Sequence, residues 1–228
     1  MSSATIGPCR LILGDCLDVL SLVSPASLCL ADPPYGIDLG RISGSRLSRW
    51  RALRNHQPAP SAGYAVTGDH EAFDPAPFLR FSQLILWGGN HFASRLPDAR
   101  KWLIWDKRVG KTPNHGADAE MAWTNLPGPT RLYSHLWMGM CREGEENLSR
   151  GGRIVHPTQK PVAVMEWCIH QFGPLPDGSV LFDPFMGSGS AGVAAVRRGL
   201  RYVGVEIDPG HYQTACTRIF DAWRGVAA

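Results

Sequence analysis

The sequence predicts a doubly wound α/β fold, on three observations. Short apolar runs of strand character recur along the chain and end in polar, proline or glycine corners. Helical patterns separate several of them, as a parallel sheet with crossover helices requires. The stretch from Ser179 to Glu206 reads as strand, glycine-rich turn, helix, strand and acid. That unit places a ligand at the carboxyl ends of its strands. The 228 residues suffice for one such domain and leave little for a second.

Taken in order, Cys9 to Gly14 is a strand, with Asp15 at its end. Apolar residues at 17, 19, 20, 22 and 23 predict a short helix over Cys16 to Val23. Ala26 to Ala31 is the next strand, stopped by Asp32-Pro33-Pro34-Tyr35, whose prolines cannot donate to a ladder. Gly36 to Gly68 is a long irregular stretch carrying Arg41, Arg46, Arg49, Arg51 and Arg54 beside Trp50. Arginines interleaved with an aromatic ring suit phosphate contact and stacking. Phe73 to Ser82 reads as a helix, Leu84 to Trp87 as a buried strand closed by Gly88-Gly89-Asn90, and His91 to Leu96 as a short helix. Lys101 to Trp105 is a strand followed by an exposed pair, Asp106 and Lys107; Glu120 to Trp123 is an edge-type strand.

Pro127 to Val155 shows little periodicity. Its Arg131, His135, Arg142, Arg150 and Arg153 are candidates for reaching bases or phosphates. His156-Pro157-Thr158-Gln159-Lys160-Pro161 then precedes an amphipathic helix, Val162 to Phe172. Ser179 to Phe182 is a strand, Gly187 begins a helix running through Val196 to Arg198, and Tyr202 to Val205 is a strand ending in Glu206. Pro209 to Trp223 is a closing helix.

The net charge of +3 and pI near 8.6 permit a nucleic-acid partner without demanding one. No apolar run approaches the roughly 18 residues of a membrane span, and Met1 to Arg10 has no leader pattern. The six cysteines, at 9, 16, 29, 141, 168 and 216, lack Cys-x-x-Cys spacing, which predicts reduced cytoplasmic core residues and no metal site. Pro8-Cys9 precedes the first strand and lies far from any ligand loop, so it is not read as a nucleophile.

The corner at Asp32 suits an unusual chemistry. The exocyclic amino group of a nucleobase is a poor nucleophile, because its lone pair is delocalised into the ring. Two acceptors on its two N–H bonds draw that pair out of conjugation, and the Asp32 carboxylate and Pro33 carbonyl are such acceptors. Tyr35 can stack on the base, a contact worth about 1–3 kcal/mol. Near the C-terminus, Gly187, Gly189 and Gly192 satisfy the dinucleotide-binding pattern. A dehydrogenase nevertheless fails on position, since the chain ends too soon after Glu206 to supply the remaining strands of such a domain.

Asp32-Pro33-Pro34-Tyr35, the string from His156 to Pro161, and Asp183-Pro184-Phe185 before the glycines together resemble the amino-group DNA methyltransferases. The order, with the catalytic motif first and the cofactor loop last, resembles their permuted β group. The resemblance runs from Gly14 to about Tyr212. It implies a Rossmann-like class I methyltransferase fold, circularly permuted, with a seven-stranded, mostly parallel sheet and one antiparallel strand near its edge. It implies S-adenosylmethionine as cofactor and DNA as substrate, with adenine N6 as the target; Asp rather than Ser at position 32 tilts the choice away from cytosine N4. The target base would be flipped out of the duplex. Asp32 and Pro33 would accept from its amino group, Pro34 would fix their geometry, and no raised carboxyl pKa is needed.

Cofactor contacts would come from Asp183, Pro184, Phe185, Gly187, Ser188, Gly189, Ser190, Glu206 and Ile207. Asp15, Cys16, His156, Thr158 and Lys160 would join them, with Lys160 at a helix start beside the cofactor's carboxylate. For Asp15, cofactor contact and plain helix capping both remain open. The implied organisation is one domain, with a catalytic half over 9–126, a short recognition segment over 127–155 and a cofactor half over 156–224. A homodimer and a companion restriction enzyme are possible by the same likeness. The alternative of another class is a non-catalytic DNA-binding regulator that keeps the fold.

Overall fold

The computed structural model describes residues 1–25, 27–38, 67–111, 117–138, 141–144 and 159–227. Its strands are β1 (Ser2–Ile6), β2 (Cys9–Leu13), β3 (Leu28–Ala31), β4 (Gln83–Trp87), β5 (Lys101–Asp106), β6 (Ala119–Thr124), β7 (Arg131–Ser134), β8 (Trp137–Met138), β9 (Cys141–Arg142), β10 (Val180–Asp183) and β11 (Arg201–Glu206). Its helices are α1 (Cys16–Leu20), α2 (Val162–Gln171), α3 (Ser190–Arg197) and α4 (Pro209–Ala227).

One sheet organises the fold, in the order β1-β2-β11-β10-β3-β4-β6-β5-β7, while β8 and β9 form a separate small ribbon. Neighbours from β2 through β4 run parallel, as do β5 and β7; β1 and β6 run against the rest. The seven strands from β2 to β5 are therefore the expected mostly parallel sheet with one reversed member. The observed sheet has nine strands, because β1 and β7 extend its two edges. Both escape a reading by apolar pattern: β7 is largely exposed, and so is β1, which pairs with β2 through a Gly7-Pro8 turn. Glu120 to Trp123 is not an edge strand. Its strand, β6, is bonded on both sides, and Ala122, Trp123 and Thr124 are buried.

Alternation across the pleat builds two cores, one on each face. Leu28 and Leu30 of β3, Ile85 and Trp87 of β4, and Leu181 of β10 join the core beneath α2, α3 and α4. Cys29, Ala31, Leu84, Leu86 and Phe182 face the other way, toward α1 and the Phe78–Phe92 region. Each wholly buried Leu or Phe contributes about 1.5–3 kcal/mol. Cys9, Cys16, Cys29, Cys168 and Cys216 are free thiols, and burial pushes Cys9 up to about 11, which suits packing rather than nucleophilic attack.

Several helix boundaries differ from the pattern reading: α1 stops at Leu20 rather than Val23, and His91 to Leu96 meets only the 3-10 turns Gly89–His91 and Ala93–Arg95. Phe73 to Ser82 holds only one 3-10 turn, Ala76–Phe78, because Pro75 and Pro77 remove donors from any longer ladder. The helix after the glycine loop begins at Ser190, since Gly187 and Gly189 sit at φ +52° and +82° and cannot be helical. Asp208 caps α4 by accepting the Gly210 and His211 N–H groups, with Pro209 in the first turn. Because the strands from β2 to β4 are parallel, Gly14, Asp32, Gly88, the corner after Asp183, and Glu206 meet along one rim.

Candidate active site

That rim surrounds a cavity of about 1200 Å³. Asp32, Pro33, Pro34 and Tyr35 line it at the end of β3, where two successive prolines turn the chain off the sheet. Tyr35 donates its hydroxyl to Asp32 Oδ1 at 2.8 Å. Its ring lies nearly parallel to His91, 16° between planes and 5.0 Å between centroids. Asp69 pins the exit from the corner by accepting the N–H groups of Gly36 and Ile37 at 3.0 and 3.2 Å. Burial pushes the Asp32 carboxyl above the ordinary aspartate range, against the pull of the Lys160 ammonium and the Tyr35 hydroxyl. Burial likewise drives the Tyr35 hydroxyl well up, helped by the Asp32 charge, so Tyr35 stays a donor.

The glycine loop adjoins this corner, because it follows β10, the bonded neighbour of β3. Asp183 is buried; its Oδ1 accepts the Phe185 N–H at 3.1 Å and its Oδ2 the Tyr202 hydroxyl at 2.9 Å. Burial raises its pKa to about 7. Glu206 accepts the N–H of Gly187 at 2.7 Å and that of Asp208 at 2.8 Å. A carboxylate has about four lone-pair sites, so it can still accept two hydroxyls. Arg218 of α4 braces the loop from behind, donating to the carbonyl and hydroxyl of Ser188 at 2.7 and 2.9 Å. Phe185 packs edge-on to Phe73 and against Phe78.

Pro184, Phe185, Gly187, Ser188, Ser190 and Ile207 all line the cavity, as do Asp15 and Cys16. Asp15 also caps α1 through the Leu17 N–H at 2.8 Å, so its capping role and its place at the cavity coexist. Gly189 is not among the residues that line the cavity. A Cβ there would meet the Ala215 backbone at 3.1 Å, so this glycine serves the approach of α4 rather than the cavity. Lys160 places its ammonium on Asp32 and Tyr35. Arg142 lines the cavity with its guanidinium 4.4 Å from the Trp137 ring centroid. Arg41, Arg46, Arg49, Arg51, Arg54, Arg150, Arg153, His156 and Thr158 lie outside the described residues.

Three residues that pattern reading passes over stand at the site. His91 backs Tyr35; Glu120 and Lys107 pair at 2.6 Å at the cavity wall. Lys107 thus bonds Glu120 rather than forming an exposed pair with Asp106, whose carboxylate takes the Arg108 and Val109 N–H groups. The strings Trp105-Asp106-Lys107 and Glu120-Met121-Ala122-Trp123 are weak signals in isolation, because Lys107 and Glu120 each acquire their meaning from a partner on another element.

A glycine loop with two acids and an Asp-Pro-Pro-Tyr corner stand side by side at one cavity, on the mostly parallel sheet of the class I methyltransferase fold. Residues 98–217 match the model of the N6/N4 DNA methylases, and the chain belongs to that family. Among its relatives are the type II methyltransferases M2.DpnII of Streptococcus pneumoniae and M2.LlaDCHI of Lactococcus lactis subsp. cremoris. Each is 24% identical, with 92% of this chain and 88% of the relative aligned. Solved structures of similar fold include TTHA0409 of Thermus thermophilus, at TM-score 0.54 and 18% identity over 94% and 95% of the two chains. Another is the M1.HpyAVI–SAM complex, at TM-score 0.51 and 17% identity over 92% and 98%. The cytosine-N4-specific PvuII DNA methyltransferase aligns at TM-score 0.50 and 14% identity over 97% and 93%.

Proposed function

We propose that this DNA methylase transfers a methyl group from S-adenosylmethionine to the N6 amino group of an adenine flipped out of DNA. The observation that carries the reading is the placement of the Asp32 corner and the Asp183–Glu206 loop at neighbouring strand ends along one cavity. The residues present fit the cofactor. Glu206 keeps acceptor capacity for ribose hydroxyls, and Asp183 is a buried acid suited to an ammonium group. Phe185 and Ile207 add apolar surface at the cavity. Both TTHA0409 and M1.HpyAVI have been solved with S-adenosylmethionine.

The cofactor supplies an electrophilic methyl group. Asp32 and the Pro33 carbonyl accept from the target amine and localise its lone pair, so catalysis is mostly positioning and electrostatics. Asp32 can take the proton the amine sheds once methylated. His91 backs Tyr35 and steadies the ring on which the base stacks. Pattern and order support one domain, with the catalytic half at 9–126, recognition at 127–155 and the cofactor half at 156–224. Of the described candidates for DNA contact, Arg142 stands beside Trp137 at the cavity; no described helix is long and apolar enough to cross a membrane.

The test is incubation with isotope-labelled S-adenosylmethionine and unmethylated mixed-sequence DNA, followed by digestion and mass spectrometry of the nucleosides. Label in N6-methyladenine is expected. Label in N4-methylcytosine reverses the choice of base, and DNA binding without any label favours the non-catalytic regulator.

A further inference from the structure

Four charged side chains alternate in sign along one wall of the cavity, and each comes from a different part of the chain. Asp32 follows β3, Lys160 precedes α2, Glu120 stands in β6 and Lys107 follows β5. Lys160 Nζ contacts Asp32 Oδ1, donates to the Tyr35 hydroxyl oxygen at 2.8 Å and reaches Glu120 Oε2 at 3.3 Å. Glu120 Oε1 accepts from Lys107 Nζ at 2.6 Å. An ammonium has three donors, and these three acceptors occupy them. Both bonds that Asp32 takes from described side chains end on Oδ1.

The geometry points to Lys160 as a positioning residue: held on its far side by Glu120, its ammonium fixes Asp32 Oδ1, so that Oδ2 is presented to the target amine. The inference rests on the reading of Asp32 as the acceptor for that amine.

The physical case is the cost of a partly buried carboxylate. Without a paired cation such a group takes up a proton more readily, and a protonated carboxyl donates where the mechanism needs it to accept. Tyr35 touches Asp32 but brings no charge. Of the titratable groups that face Asp32 from other elements, Asp183 and Glu120 are acids and Cys168 of α2 is a thiol. Among the described residues, Lys160 supplies the cation in contact. A lysine on a four-carbon stem is otherwise mobile. Glu120 stays anionic at ordinary pH: burial opposes its charge, but Lys160 and Lys107 outweigh that and bring it down to about 2. It is thus a permanent second anchor.

The test measures single-turnover methyl transfer against pH, and cofactor affinity by calorimetry, for Lys160→Met, Lys160→Arg, Glu120→Gln and the Lys160→Met/Glu120→Gln pair. Lys160→Met should move the acid limb of the rate upward by about one pH unit or more. Cofactor affinity should hold within about threefold, and Lys160→Arg should restore the limb in part. Glu120→Gln should slow transfer by about tenfold in the wild-type background and have no further effect beside Lys160→Met. An unmoved acid limb with a loss of cofactor affinity matching the loss of rate overturns the proposal. So does a Glu120→Gln variant with wild-type rate, which decides the matter even if Lys160→Met does not fold. The Asp32 carboxyl can also be titrated by carbon-13 NMR, assigned by difference from Asp32→Asn, with no turnover required. An upward displacement in Lys160→Met supports the ion pair even if the wild type methylates nothing, in which case the proposed reaction alone fails; an unchanged titration overturns the ion pair.

Discussion

The carboxylate of Glu206 accepts the backbone N–H of Gly187 at 2.7 Å, tying the end of β11 to the first glycine of the loop after β10. The same carboxylate caps the chain beyond it through the Asp208 N–H. One side chain therefore shapes the loop and offers its remaining lone pairs to a ligand. Glu206→Ala should strip both N–H groups of their acceptor and weaken S-adenosylmethionine binding by about tenfold or more, read by calorimetry. Glu206→Gln, which keeps one acceptor oxygen, should lose less. Unchanged affinity in both would remove Glu206 from the cofactor site.

Asp183 should make cofactor binding depend on pH. Burial holds its pKa at about 7, so the free protein carries this carboxyl mostly neutral below that pH and ionised above it. An ammonium ligand prefers the ionised form. Affinity should therefore be full above about pH 8 and fall toward tenfold per pH unit below about pH 6. Tyr202→Phe deletes a hydroxyl that favours the charged form, and should move this midpoint upward. Flat affinity from about pH 5 to about pH 8 would show that Asp183 does not meet the ammonium.

Gly88 sets the space for Tyr35. It lies at φ +73°, and a Cβ there would come within 2.2 Å of the Tyr35 ring. Gly88→Ala should displace Tyr35 and with it the hydroxyl that bonds Asp32. Methyl transfer should drop by about tenfold or more while cofactor affinity changes little, since β3 stands between β4 and the strand that carries the glycine loop. Equal losses in both would mean that the whole rim had shifted.

Gly192 tests the packing beneath the loop. A Cβ at this position would stand 2.4 Å from Ile219 Cδ1 and 2.9 Å from the Tyr202 ring. Gly192→Val should force α3 and α4 apart and cost about 1–3 kcal/mol in urea unfolding. Pairing it with Ile219→Ala should recover part of the loss, because the shorter side chain frees the space.

Part of this is legible in the sequence. Pro33 and Pro34 end β3 where the pattern places its end, and glycines of the cofactor loop adopt left-handed angles that few other residues tolerate. The same proline rule, applied at Pro75 and Pro77, forbids the helix that the apolar spacing suggests there and leaves one 3-10 turn. β1 and β7 escape the pattern because sheet-edge strands with exposed side chains show no apolar alternation.

By itself, then, the sequence determined the two corners and the doubly wound class, since prolines, left-handed glycines, caps and apolar periods act on residues close in the chain. The tertiary structure alone decided that Lys160 meets Asp32, 128 positions away, and that Glu120 stands behind it. β6 runs against its neighbours, which brings the start of that strand, and Glu120 with it, to the rim where the parallel strands end. The physical reason is strand order: which charges become neighbours depends on how the sheet is assembled, and no local pattern of residues encodes that.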